Sequence, residues 1–387
     1  MAVTTATVAA TSDLERAEAV MRGVAAYGLP GATRPLPTAP LPDGEWRAML
    51  SGVREERLTG LLLYAVEEGA FPVTAEQAAA AAEAHLEATC QCVQLERTLL
   101  DVAALLEDAG VDVRVLKGPA LARLDYPDPS LRCFRDVDVL VRSGQWDAAV
   151  AALEAAGNQR LHPEPRPGFD RRFSKGTTFR TADRHEIDLH RTFALGPFGL
   201  TVDLDDVWAR SSQFELGGGR LQSLDPEVRF LNVCAHAALG DVPPRLVPLR
   251  DIAEILLVGG RLDVQRVIRL AERWRAEIVV ARALELCRDT LGLSASTTLT
   301  DWAGRLRPDR RQRRALELYL DRRETYVALL LGTVRVIPGV RAKATYLTAL
   351  ACPERQFVDG RHASRWSRFR YAARVGRRLW PGRRPPA

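Results

Sequence analysis

The chain of 387 residues is 47% hydrophobic and 27% charged, an ordinary globular balance with length enough for two or three domains. Its net charge of +5 is unevenly placed: residues 361–387 hold nine arginines and no acid, which leaves 45 Lys+Arg against 49 Asp+Glu elsewhere. A mildly acidic body is not that of a general nucleic-acid binder, so any nucleic-acid contact is expected through the basic C-terminal tail alone.

The first ten residues, MAVTTATVAA, have neither a basic start nor a sustained apolar run, and so no secretory signal. The longest uncharged apolar stretch near the C-terminus, 325–334, has about half of the roughly 20 residues that a membrane span needs. Six scattered cysteines suit reduced thiols better than a disulfide framework, and the expected location is cytoplasmic. Cys90 and Cys92 have no second Cys/His pair at metal-binding spacing.

In chain order, residues 1–28 predict a helix opened by Ser12 and Glu15 as a capping box. A proline-rich connector, LPGATRPLPTAPLPDG, follows, and then helices over 44–70 and 74–110. In the last of these, Leu95, Leu99, Val102 and Leu106 share one face, and Gly110 fits a C-cap. A strand over Val113–Leu116 and a helix opened by Gly118-Pro119 come next, then a strand over Val137–Val141 and a helix over 146–157. FSKGTTFRT and EIDLHRTF predict a hairpin turning at Ala182-Asp183-Arg184. ELGGGRLQSL predicts a second hairpin, since its glycines lack the Gly-Lys-Ser/Thr ending of a phosphate loop. From Asp225 onward helix dominates. The fold class is α+β: a small mixed sheet flanked by N- and C-terminal helical regions, divided as 1–92, 93–224, 225–300 and 301–387.

The chemistry concentrates on two strands. Residues two apart in a strand share a face, so Asp136 and Asp138 point one way while Val137, Val139 and Val141 point into a core. On the hairpin strand, Glu186, Asp188 and His190 share a face opposite Ile187 and Leu189. A buried carboxylate needs a positive partner or a cation. Three carboxylates on adjacent strands can hold two divalent cations roughly 4 Å apart, the clamp used for in-line phosphoryl chemistry, and Mg²⁺ prefers such oxygen ligands. Lys117 is one of three lysines in a chain that otherwise uses arginine, which singles it out; Lys175 and Lys343 read as surface lysines.

Leu116-Lys117-Gly118 before a helix, R-x-x-R-D-V-D-V-L-V, I-D-L-H and the segment from Cys234 to Leu256, in that order, resemble the uncharacterised nucleotidyltransferase family of the DNA polymerase β-like superfamily. The resemblance covers roughly residues 95–260. It implies that Asp136, Asp138 and Asp188 are catalytic metal ligands for Mg²⁺ or Mn²⁺, with Asp188 helping to deprotonate the acceptor. It further implies that Lys117, Gly118, Arg132 and Arg135 contact the phosphates of an NTP. The sequence departs from the superfamily at Pro119, where Ser or Gly is usual, so phosphate binding has to lean on Lys117, Arg132 or Arg135. The implied reaction moves a nucleoside monophosphate to a hydroxyl or phosphate of a small-molecule or peptide acceptor.

Each role has a structural rival. Asp136 and Asp138 would pair with Arg132 and Arg135, and Asp188 with Arg180 or Arg184. His190 fits both an acceptor contact and a structural hydrogen bond, and His236 and Asp251 fit polar contacts in helical packing. Rival functions are a toxin-type nucleotidyltransferase acting on RNA or protein and a catalytically silent nucleotide-binding scaffold. A glycosyltransferase also uses Asp-x-Asp, but residues 44–110 lack the βαβ half that such folds place before it.

Overall fold

Residues 15–260, 262–320, 332–354 and 357 are described by the structure, a computed structural model. Ser12, most of the apolar run 325–334 and the basic tail 361–387 lie outside these residues.

Seven strands form one mixed sheet: β1 (Val113–Val115), β2 (Val137–Val141), β3 (Gln159–Arg160), β4 (Gly176–Arg180), β5 (Glu186–His190), β6 (Ser211–Leu216) and β7 (Gly219–Leu224). Their order is β3-β4-β5-β2-β1-β7-β6. Both expected hairpins form, β4 with β5 and β6 with β7, each antiparallel. Arg184 takes φ +66° in the first turn. In the second, Leu216 pairs with Gly219 across Gly217 and Gly218. Those two glycines have φ +55° and +81°, the backbone that a tight two-residue hairpin turn requires. The parallel contacts, β2 with β5 and β1 with β7, join segments distant in sequence.

The 34-residue helix Ala75–Asp108 starts at Thr74, whose hydroxyl accepts from the Gln77 N–H while the Gln77 side chain accepts from the Thr74 N–H. Its buried residues Leu95, Leu99, Val102 and Leu106 pack on Val137, Val139, Val141, Ile187 and Leu189, one face of the sheet. Leu116, Leu140 and Leu224 turn to the other face, into a second core. That core unites N-terminal helical residues such as Val24, Met49 and Leu61 with Phe230, Val233, Leu249 and Leu284 from helices after residue 225. Both faces of the central strands are therefore covered, and all five residues of β2 are buried. The helix Pro226–Leu239 begins at Asp225, whose carboxylate accepts from the Val228 N–H at 3.1 Å. Among the described residues, no helix is long and apolar enough to cross a membrane. All six cysteines are free.

Candidate active site

The parallel pairing of β2 and β5 sets Asp138 level with Asp188 and Leu140 level with His190. Because adjacent residues of equal register share a face, both acids and the histidine emerge on one side of the sheet. Asp138 is buried, at 3% exposure. The reason it can be buried is cationic: Lys117 Nζ lies 3.0 Å from its Oδ1, and that oxygen also accepts from His190 Nε2 at 2.7 Å. Lys117 is held there by the strand before it, where the Leu116 N–H donates to the Asp138 carbonyl at 3.0 Å.

Gly118 follows with φ +54° and ψ −116°, a backbone that residues with a Cβ avoid, and an added Cβ would stand 3.3 Å from the Phe134 ring. Pro119 occupies the first position of the helix Pro119–Leu124, as its missing N–H allows.

Asp188 is half-buried and accepts from the Thr178 hydroxyl on β4 at 2.6 Å. Arg180 pairs instead with Glu186, and among the described ion pairs none joins Asp188 to an arginine. Asp138, Asp188 and His190 each offer a ligand atom within 4.8 Å of the others. Asp136 is half-buried and stands outside this trio.

The charges interact strongly. The Asp138 carboxylate, with burial adding, pushes Asp136 up to about 6, against the pull of Lys117 and Arg57. Burial works to raise Asp138 too, but Lys117 and His190 outweigh it and hold that carboxyl well below the usual range. For Lys117 the balance is the same in mirror image: burial opposes the charge, and Asp138 and Asp136 prevail to raise its pKa.

Lys175 is where the sequence expectation needs correction. It is no surface lysine: it lines the site cavity beside Asp188 and His190, and burial followed by repulsion from Lys117 lowers its pKa. The hairpin register places it there, since Gly176 pairs with His190 and the Arg191 N–H donates to the Lys175 carbonyl at 2.8 Å. Two of the three lysines thus meet at the acid cluster. The scarcity that singled out Lys117, applied to Lys175 along the hairpin, was the available signal. His236, on the helix that covers the site, is driven well below its ordinary value by Lys117 and then by burial.

Among the described ion pairs, neither arginine of the Arg-x-x-Arg segment joins Asp136 or Asp138. Arg132 is buried and donates Nε and Nη2 to the two oxygens of Asp251 at 2.7 and 3.0 Å. Arg135 is exposed and donates to the Arg54 carbonyl at 2.6 Å. Arg57, with φ +60°, brings a positive charge toward Asp136.

A cavity of about 420 Å³ opens from Lys175, Asp188 and His190. The site therefore has carboxylates, a nearby imidazole, two ammonium groups and a space beside them for a second molecule.

Two solved structures are similar over part of this chain. One is the antibiotic-resistance factor ANT(2'')-Ia, 18% identical over 49% of this chain and 94% of that one, with a TM-score of 0.33. The other is an antigenic nucleotidyltransferase-like protein from Paracoccidioides brasiliensis, 14% identical over 47% and 92%, with a TM-score of 0.28. A comparison with curated proteins finds no match. The family model described as uncharacterised nucleotidyltransferase matches residues 42–292, more than half of the chain and all seven strands. The chain belongs to the uncharacterised nucleotidyltransferase family and is a nucleotidyltransferase by that membership.

Proposed function

We propose that the chain transfers a nucleoside monophosphate from an NTP to the hydroxyl or phosphate of a small-molecule or peptide acceptor, with Mg²⁺ or Mn²⁺ as cofactor. The observation that carries this reading is the register of β2 against β5, which sets Asp138 beside Asp188 with His190 in reach of both.

The residues present fit a divalent cation. Two carboxylates and an imidazole lie within 4.8 Å of one another, and the Nδ1 of His190 is buried without a hydrogen-bond partner. Asp138, Asp188 and His190 would hold the ion, with Asp136 at the margin. The oxygens suit Mg²⁺, and the nitrogen makes Mn²⁺ an equal fit. Bound there, the ion supplies positive charge for the α-phosphate and the departing pyrophosphate.

The remaining work falls to the chain's own groups. Lys117 and the Gly118 turn face the triphosphate, Lys117 as a point charge beside Asp138. The phosphate role expected of Arg132 and Arg135 passes to Lys117, because the Arg132 fork is already engaged by Asp251 and Arg135 by the Arg54 carbonyl. Asp188 orients an acceptor hydroxyl, its own orientation fixed by Thr178. In the transfer, the acceptor oxygen bonds to the α-phosphorus, the bond from that phosphorus to the β-bridging oxygen breaks, and pyrophosphate leaves. The hydroxyl proton passes to Asp188 and on to water.

The test is pyrophosphate release from each NTP with Mg²⁺ or Mn²⁺ and a panel of hydroxylated small-molecule and peptide acceptors, using wild type, Asp138→Asn and Asp188→Asn. Loss of about 3 kcal/mol or more of transition-state stabilisation, on the order of a hundredfold in rate, is expected in both variants with unchanged far-UV circular dichroism. Wild-type turnover in either variant would remove that carboxylate from the reaction.

A further inference from the structure

The cavity beside Asp188 has two unlike sets of lining residues. Lys175, Asp188 and His190 line it from the sheet, and Phe169, Phe173 and Tyr346 line it from segments outside the sheet. The three aromatic rings form one cluster. Phe169 stacks on Tyr346 at 5.7 Å and 18°, and Phe173 meets Tyr346 edge-on at 5.2 Å and 70°. Ile337 and Leu350 pack with this cluster.

The aromatic wall is tied to the rest of the cavity. The Arg166 Nε donates to the Cys352 carbonyl at 2.6 Å, and the Glu354 N–H donates to the Pro165 carbonyl at 2.8 Å. These bonds join the loop before Phe169 to the end of the helix Val340–Ala351, which carries Tyr346 and Leu350. Tyr346 and Leu350 lie beyond residue 292, where the family match ends. Phe169 and Phe173 lie within the matched residues, so the wall is shared between the family portion and the helix Val340–Ala351 that follows it.

Charge narrows the ligand further. Of the two acids in the lining, Asp170 is bound by Arg160 at 2.7 Å, which leaves Asp188 facing Lys175. With Lys175 offsetting Asp188, the lining offers a bulky polycation no surplus of acid beyond the ion-binding corner. A volume of about 420 Å³ takes a small molecule, and aromatic walls favour a flat apolar body.

Resting on the transfer reading above, we propose that the acceptor is a hydroxylated small molecule with a planar apolar body and no positive charge. Its body lies against Phe169, Phe173 and Tyr346, and its hydroxyl reaches Asp188. The helix Val340–Ala351 thereby takes part in acceptor selection, together with Phe169 and Phe173 from the family-matched residues.

The experiment uses 2-naphthylmethanol as probe and spermine as its cationic counterpart, titrated into the full chain by calorimetry, with the Mg²⁺ complexes of ATP, GTP, CTP and UTP titrated in parallel. The wild-type chain is expected to bind the alcohol and not spermine. Phe173→Ala and Tyr346→Ala should each weaken the alcohol at least tenfold, and Leu350→Trp, which replaces a partly buried lining side chain with a larger apolar one, should abolish it. NTP binding should be unchanged in all three. No binding of the alcohol by the wild type, equal binding in the Leu350→Trp variant, or preference for spermine would overturn the proposal. A wild-type chain that binds the alcohol but none of the four nucleotides overturns the transfer reading instead, and the acceptor role with it.

Discussion

Arg132 and Asp251 form a two-pronged buried ion pair, Nε to Oδ1 at 2.7 Å and Nη2 to Oδ2 at 3.0 Å, with side-chain exposures of 4% and 1%. The Tyr126 hydroxyl donates to the same carboxylate at 2.8 Å. This contact joins the segment that leads into β2 to the helix Leu246–Ala253, so it holds the strand of Asp136 and Asp138 against the helical layer.

Removing one partner leaves a charge buried without its counter-ion. Arg132→Ala and Asp251→Ala are each expected to destabilise the chain by about 3–5 kcal/mol, measured by urea unfolding. The double variant Arg132→Met with Asp251→Leu should recover most of that loss, because it buries no charge at all. If Arg132 served phosphate directly, Arg132→Ala would weaken NTP binding while stability held, which is the opposite outcome.

Much of the site was legible because its residues sit in short-range patterns. Alternation along DVDVLV put Asp136 and Asp138 on one face of their strand, and alternation along EIDLH put Asp188 and His190 on one face of theirs. The β2–β5 register turns Asp138, Asp188 and His190 to the same side of the sheet. The spacing of Leu95, Leu99, Val102 and Leu106 likewise gave the buried face of the long helix. What escaped depends on contacts between distant segments. The destination of Arg132 is 119 residues away, and no local spacing encodes it. The parallel pairing of β2 with β5 brings His190 to Asp138 across 52 residues and turns a strand-end acid into a buried one. Tyr346 reaches the cavity of Asp188 from the far end of the chain.

The three lysines should separate by substitution with methionine, which keeps the length of the stem. Lys117→Met removes the ammonium 3.0 Å from Asp138 and leaves His190 as that carboxylate's remaining partner. NTP affinity is expected to fall by about 1.5–3 kcal/mol, the worth of a charge-assisted hydrogen bond, and Mn²⁺ should raise the melting temperature more than in wild type. Lys175→Met, in the cavity beside Asp188, should change acceptor KM more than NTP affinity. Lys343→Met, on the helix Val340–Ala351, should stay within about 0.5 kcal/mol of wild-type stability. Equal NTP affinities in the three variants would return Lys117 to a purely structural partner of Asp138.

The last expectation concerns pH and lies away from the acid cluster, at the start of the helix Pro226–Leu239. Arg266 donates to both oxygens of Asp225, at 2.8 and 2.7 Å, and also to Glu227. Burial works to raise the Asp225 carboxyl, but the Arg266 bonds and the Val228 N–H outweigh it and hold its pKa below the ordinary value. A carboxyl depressed in the folded state contributes stability above its unfolded value, near 3.9, and loses it as pH falls through the folded one. Asp125 has the opposite sign: burial prevails over its Arg229 partner and raises its pKa, so its contribution is full at low pH and is lost as pH rises. The acid unfolding curve of the whole chain mixes the two, and a difference measurement isolates the first. Arg266→Met should lower urea stability by about 1.5–3 kcal/mol at pH 7, and that gap should narrow as pH falls below about 4. A gap that stays constant from pH 7 to 3 would mean that Arg266 acts through packing rather than through the Asp225 charge.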